Sequence, residues 1–222
     1  MLRQIVKPNS DSTMSQRNGK APPWSQDASW RALNIGLNEG HHPKVERLAV
    51  TAEWFSKSCL RNDRTHGAWA VIAGNTGCGK THASLKIAQY VAERQIDAWH
   101  KGWLGSITHL GSPAFCRWER RSECSDSEWD DWMRNEVSGA RLVILDDLGS
   151  DTDRFKSGVP AARLKSLLDQ CESKWLWATT NVQKSLWKER WDQRIADRLW
   201  PARYLGLFEV PSYRQSNEPS NT

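Results

Sequence analysis

The chain is predicted to be an α/β protein, and three segments carry that prediction. The first is Gly74-Asn75-Thr76-Gly77-Cys78-Gly79-Lys80-Thr81, a complete G-x-x-x-x-G-K-T loop. An apolar run of buried-strand length, Ala68-Trp69-Ala70-Val71-Ile72-Ala73, precedes it. After it, Ile87, Ala88, Val91 and Ala92 recur at helical spacing. The second segment is Arg141-Leu142-Val143-Ile144-Leu145-Asp146-Asp147, a continuous apolar strand ending in two carboxylates. The third is Trp175-Leu176-Trp177-Ala178-Thr179-Thr180, another compact strand, closed by Asn181. Polar side chains delivered at strand ends stand where open α/β sheets hold their ligands.

Each segment has its chemistry. Glycines let the loop backbone curl until its N–H groups converge on an anion, and the helix that begins there adds its positive end. Lys80 is expected to reach the β- and γ-phosphates of a nucleotide, and the Thr81 hydroxyl to ligate Mg2+. Asp146 would hold the magnesium hydration shell, and Asp147 would orient or deprotonate the attacking water. Asn181 can reach the γ-phosphate or that water. The plainer readings are a glycine turn without ligand, aspartates as ordinary turn formers and a turn-capping Asn181.

With 222 residues the chain can bury one substantial core. Its 38% hydrophobic share and mean hydropathy of −0.70 describe a soluble protein, and no apolar run approaches membrane-spanning length. No signal-peptide core opens the chain. A net charge of +5 permits nucleic-acid contact without requiring it. Five cysteines, Cys59, Cys78, Cys116, Cys124 and Cys171, show no paired pattern, which suggests reduced thiols in a cytoplasm and no zinc site. Most of the fourteen tryptophans are expected in the core or in grooves.

In chain order, residues 1–43 read as a flexible arm rich in Asn, Ser, Gly and Pro. It either folds back on the domain or docks on a partner protein. A helix is expected over 44–60, with Val45, Leu48, Ala52, Phe55 and Cys59 on one face. Residues 96–109 have helical tendency, 113–118 fit the second strand, and 122–137 fit a charged helix whose Trp129, Trp132 and Met133 face the core. A helix over 160–172 buries Leu164, Leu167, Leu168 and Cys171. A basic helix over 187–200, the break at Pro201 and an edge strand over 204–210 finish the domain at about 214. Residues 215–222 form a polar tail, with no room for a helical lid domain.

The loop at 74–81, the strand and turn at 142–149, Thr179-Thr180-Asn181 and Gln193-Arg194-Ile195-Ala196-Asp197-Arg198-Leu199 resemble the motif series of bacterial replicative-helicase loaders of the DnaC type. Transposition helper ATPases of the IstB type share the series; both are P-loop NTPases of the AAA+ type. Val210-Pro211-Ser212-Tyr213-Arg214 is similar to the loader ending. The resemblance implies a parallel five-stranded sheet with helices on both faces, ATP and Mg2+ at its carboxyl edge, and a homo-oligomer. It also implies single-stranded DNA and a replicative DNA helicase as partners. Lys80 and Thr81 match the phosphate-loop pair, Asp146 the magnesium aspartate and Asn181 the first sensor. Arg194 matches the arginine finger that acts in trans, and Arg198 a second arginine assigned to the nucleotide. Two features depart from the pattern. Asp147 replaces the Glu of many relatives, and the arm is shorter than a full helicase-binding domain. Alternatives are a transposition helper that binds duplex DNA, an adaptor that uses ATP without turnover, and a nucleoside kinase. Lys184, Lys188, Arg190, Arg203 and residues 117–121, interleaved with Trp118 and Trp187, are the candidate DNA surface, or else a solvated face.

Overall fold

A computed structural model describes residues 43–60, 67–100, 113–151, 153 and 157–212. Of the sequence expectations, the arm before Pro43, the helical tendency at 101–109, Tyr213, Arg214 and the tail lie outside the described residues. Among those residues, β1 (Trp69–Ala73), β2 (Ala114–Arg117), β3 (Leu142–Leu148), β4 (Trp175–Thr180) and β5 (Arg203–Gly206) form one sheet in the order β2-β3-β4-β1-β5. Every neighbouring pair is parallel. No described helix is long and apolar enough to cross a membrane.

The sheet has two buried faces because successive residues of each strand point to opposite sides and nearly all are apolar. On one face Ala70, Ile72, Leu142, Ile144, Trp175 and Trp177 meet α1 (Pro43–Leu60) and α2 (Lys80–His100) through Leu48, Phe55, Ala83, Ile87 and Val91. On the other face Val71, Val143, Leu145, Leu176 and Ala178 are covered by α3 (Trp118–Ser122), α4 (Asp126–Trp132) and α5 (Val159–Gln170). The short helices α6 (Trp187–Arg190) and α7 (Gln193–Leu199) complete that layer. Trp129, Trp132 and Met133 pack in this second core, as their spacing suggested.

Local chemistry redraws two predicted helices. The stretch 122–137 divides because Ser125 and Glu128 form a reciprocal capping box that starts α4 afresh, and a π-helical turn over Met133–Val137 ends it. The buried Arg163 guanidinium fixes the junction by donating to the Ser122 and Cys124 carbonyls at 2.9 and 2.8 Å and to Asp126 at 2.6 Å. The basic stretch 187–200 is also two helices rather than one. Trp191 is extended, and the Asp192 carboxylate accepts the Ile195 N–H at 3.0 Å, a cap that a mid-helix aspartate could not supply.

β5 is shorter than expected. After Gly206 the chain leaves the sheet and crosses the phosphate loop, with the Leu207 N–H donating to the Ala73 carbonyl at 2.6 Å. All five cysteines are free thiols, and burial pushes those of Cys59 and Cys171 up to about 12.

The contact that seats α1 is Phe55, fully buried, whose ring meets the edges of Trp175 and Trp177, each at 5.3 Å between centroids. Phe55→Ala is expected to lower unfolding free energy by about 3–5 kcal/mol in urea titration. A parent-like midpoint would show that α1 is dispensable to the core.

Candidate nucleotide site at the carboxyl edge of the sheet

The turn from β1 into α2 is the loop identified in the sequence. Gly77 and Gly79 have φ of 85° and 95°, which L side chains rarely adopt. A Cβ at Gly77 would also stand 2.1 Å from the Ser212 hydroxyl, so the segment after β5 lies directly against the loop. Asn75 donates its side-chain amide to the Phe208 carbonyl at 2.8 Å, and Cys78 turns its side chain into the core beside Gly74. Gly74, Asn75 and Cys78 thus shape the loop from behind. Thr76, Gly77, Gly79, Lys80 and Thr81 line a cavity of about 300 Å3, together with His82, Asp147, Ser150 and Asn181.

Lys80 is 5% exposed and all three of its donors are engaged. They reach the Gly74 carbonyl at 2.8 Å, the Asn75 carbonyl at 2.9 Å and the Asn181 side-chain oxygen at 2.9 Å. The predicted phosphate lysine, at the start of α2, and the predicted sensor, just after β4, therefore stand in direct contact.

Asp146, next to the cavity-lining Asp147 in sequence, is fully buried, and Thr179 donates its hydroxyl to Asp146 Oδ1 at 2.7 Å. Asp146 Oδ2 is buried with no hydrogen-bond partner among the described residues. Burial raises the carboxyl pKa above its ordinary range. The Thr179 bond opposes that shift, the Asp147 charge adds to it, and Thr81 and Arg117 pull it back. An unsatisfied buried carboxylate oxygen beside a threonine hydroxyl suits a hard divalent cation, which takes oxygen ligands and keeps several waters. These residues therefore fit Mg2+.

The strand does not end with its two carboxylates as the sequence suggests; it runs to Leu148 through a register shift against β4. Asp147 sits in the shift with φ of 58°, and its N–H donates to Thr179 Oγ1 at 2.9 Å. The left-handed conformation separates its side chain from that of Asp146 and leaves Asp147 lining the cavity. Ser150, which the sequence reading missed, closes the turn by donating its N–H and hydroxyl to the Asp147 carbonyl at 3.1 and 2.6 Å. Its only sequence signal is the Gly149-Ser150 pair after the acidic strand.

Arg194 lies exposed in the first turn of α7 and makes no bond among the described residues. Its acidic neighbours are engaged elsewhere, Asp192 as helix cap and Asp197 with the Gln193 amide at 2.9 Å. Arg198 is not at the cavity. It pairs with Asp169, and with Glu172 at 3.5 Å, at the opposite, amino edge of the sheet, lining a separate hollow with Trp54 and Trp69. The nucleotide role expected of Arg198 is not served at the cavity of its own chain, because its guanidinium is committed to Asp169 and Glu172. Trp118 and Trp187, placed by sequence on a DNA surface, are fully buried. Lys184 is held over the Trp200 ring at 4.4 Å and donates to the Trp200 carbonyl, while Arg190 binds backbone carbonyls. Arg117, Arg120 and Lys188 remain exposed; Arg203, also exposed, lies over the Trp54 ring at 4.7 Å in the amino-edge hollow.

Ionising Asp146 in its buried position destabilises the fold, since a folded-state pKa above the unfolded one lowers stability as pH rises from the ordinary carboxylate range through the folded value. Asp146→Asn keeps the acceptor for Thr179 and removes that charge. Its melting temperature without nucleotide is expected a few degrees above the parent's at pH 7 and level with it in acid, where both carboxyls are neutral. Magnesium-dependent tightening of ATP binding should be lost in the same variant. Scanning calorimetry at two pH values checks the first outcome and ATP titration with and without Mg2+ the second.

No protein-family model matches the chain, and no curated protein matches it. Solved structures share its fold at low identity. A candidate primosome component from Streptococcus pyogenes serotype M3 superposes with a TM-score of 0.54 at 17% identity, over 75% of this chain and 80% of that one. The DnaC helicase loader gives 0.52 at 14%, over 80% and 98%. AMPPCP-bound DnaA from Aquifex aeolicus gives 0.53 at 16%, over 82% of this chain and only 50% of that one. The likeness is one of fold. The chain has the α/β architecture of P-loop proteins of the AAA+ type, a five-stranded parallel sheet flanked by helices, with no helical lid domain among the described residues.

Proposed function

We propose that the chain is an ATPase that works in an oligomer to place a replicative DNA helicase on single-stranded DNA. The observation that carries the ATPase reading is the convergence of Lys80, Thr81, Asp147 and Asn181 on one cavity, with the unsatisfied Asp146 oxygen behind it. In this reading the loop N–H groups and the start of α2 bind the phosphates. Lys80 exchanges its internal acceptors for phosphate oxygens, which frees Asn181 to orient the γ-phosphate or a water. Asp147 accepts the proton of the attacking water. Thr81 and Asp146 hold Mg2+, whose chemistry when bound is to neutralise charge on the β- and γ-phosphates.

No arginine lines the cavity among the described residues, whereas Arg194 stands exposed and unpaired on the surface. A guanidinium of that kind, brought by a neighbouring copy, would complete the site. Lys80→Ala is expected to abolish most ATP affinity. Arg194→Ala is expected to spare binding and slow hydrolysis about 10³-fold or more. Mixing the two inactive proteins should restore turnover, because Arg194→Ala subunits supply intact cavities and Lys80→Ala subunits supply the arginine. Full-rate hydrolysis by a monomer would rule the shared site out.

The DNA part of the reading rests on the exposed cations Arg117, Arg120 and Lys188 together with the fold likeness to a helicase loader. Contacts to three phosphates of a single strand would weaken binding about 20-fold between about 50 and 200 mM salt. Fluorescent single- and double-stranded DNA, titrated with ATP present at both salt concentrations beside a pulldown with purified replicative helicase, tests it. Single-strand preference with helicase recovery is the expected outcome. Tight duplex binding without helicase recovery would move the assignment to a transposition helper.

A further inference from the structure

The turn that presents Asp147 is gripped from outside by one residue whose sequence position suggests nothing of the kind. Arg190, at the end of α6, donates through Nε and one terminal nitrogen to the Gly149 carbonyl at 3.2 and 3.0 Å. The same terminal nitrogen donates to the Asp151 carbonyl at 2.7 Å and faces the Asp151 carboxylate at 3.1 Å. That carboxylate is 8% exposed, and its other oxygen accepts the buried Trp118 indole N–H at 2.7 Å. Gly149 has φ of 86°, and a Cβ there would meet Trp191 and Val182 at 3.1 Å each, so the turn also packs directly on the segment that follows Arg190.

This grip falls where the backbone is least able to hold itself. Asp147 is a non-glycine residue at positive φ, a conformation that persists only when its surroundings enforce it. Thr179 fixes its N–H and Ser150 its carbonyl. The next carbonyl, of Leu148, accepts the Thr180 hydroxyl at 2.6 Å, and those of Gly149 and Asp151 go to Arg190. A planar guanidinium can serve two carbonyls and a carboxylate at once; an ammonium cannot.

We propose that Arg190 is a positioning residue for hydrolysis, locking the Asp147–Asp151 turn so that the Asp147 carboxylate stays aimed into the phosphate cavity. This rests on the reading above, in which Asp147 acts on the attacking water. Arg190 ends α6 and Arg194 lies in the first turn of α7, so the locked residue and the exposed arginine are separated only by the break at Trp191 and Asp192.

The test compares full-length parent, Arg190→Gln, Arg190→Lys, Asp151→Asn and Asp147→Asn for equilibrium ATP binding, hydrolysis rate and melting temperature. Arg190→Gln is expected to bind ATP within about threefold of the parent and to hydrolyse it about 100-fold more slowly, the effect of a misplaced group rather than a lost binding contact. Arg190→Lys keeps a charge opposite Asp151 but not the fork on Gly149; it should melt close to the parent yet stay about 10-fold slow or worse. Asp151→Asn keeps an oxygen for Trp118 and both carbonyl contacts of Arg190; it should melt lower than Arg190→Lys and still hydrolyse near the parent rate. The proposal is overturned if Arg190→Lys hydrolyses at the parent rate, or if rates merely follow melting temperatures across the set. Parent-rate hydrolysis by Asp147→Asn would remove the premise itself. Slow Asp147→Asn beside fast Arg190→Lys would remove only the role of Arg190.

Discussion

Two adjacent threonines hold the carboxyl edge of the sheet together. Thr179 accepts the Asp147 N–H and donates to Asp146, so one hydroxyl serves both carboxylate residues. Thr180 donates its hydroxyl to the Leu148 carbonyl, accepts the Val182 N–H, and offers its own carbonyl to the Gly74 N–H at 3.0 Å. The central strand is thereby bonded at its tip to the acidic turn on one side and to the phosphate loop on the other. The register shift that frees Asp147 leaves ladder groups without strand partners, and these hydroxyls supply the replacements. The two threonines are fully buried, so an unpaired group among them would incur a full desolvation penalty.

Tryptophan does the packing that aliphatic residues usually do. Trp175 and Trp177 fill one face, Trp118 and Trp187 the other, each fully buried. A buried indole brings one N–H that needs an acceptor. Trp177 finds the Ser84 hydroxyl at 3.1 Å, Trp118 the Asp151 carboxylate, and Trp187 the Val182 carbonyl at 3.4 Å. Those needs carry the polar network inward, which is how Asp151 comes to be a buried carboxylate with an arginine at its side.

The strands and the phosphate loop were legible because their signals are local. A run of apolar residues, a glycine that must turn, and a lysine and threonine at fixed offsets require no knowledge of the rest of the chain. Asp146 and Asp147 were legible as a pair with separate expected tasks, but the register shift against β4 that gives Asp147 its left-handed backbone was not. The break at Trp191 was hidden because apolar spacing continues across it while the decisive interaction is a single Asp192 cap. Arg190, Arg194 and Arg198 share one short basic stretch, and only the family resemblance separates the expected roles of Arg194 and Arg198. In space one grips the acidic turn, one faces solvent, and one is paired at the far edge of the sheet. Trp118 and Trp187 misled for the related reason that aromatic residues between cations describe a nucleic-acid surface and an amphipathic core element equally well.

The strap across the phosphate loop bears on how the protein is made. Asn75 and the Phe208 carbonyl it holds are 133 residues apart, and Ser212, which rests against Gly77, is farther still. β1 also has no sheet neighbour until β4 is inserted between it and β3. During synthesis the loop therefore leaves the ribosome long before anything that shapes it, and the non-local contacts that order it are the last to form. The glycine loop, read first in the sequence, is the last part of the fold to be finished, so in a nascent chain its geometry is complete only when synthesis of the domain is nearly complete.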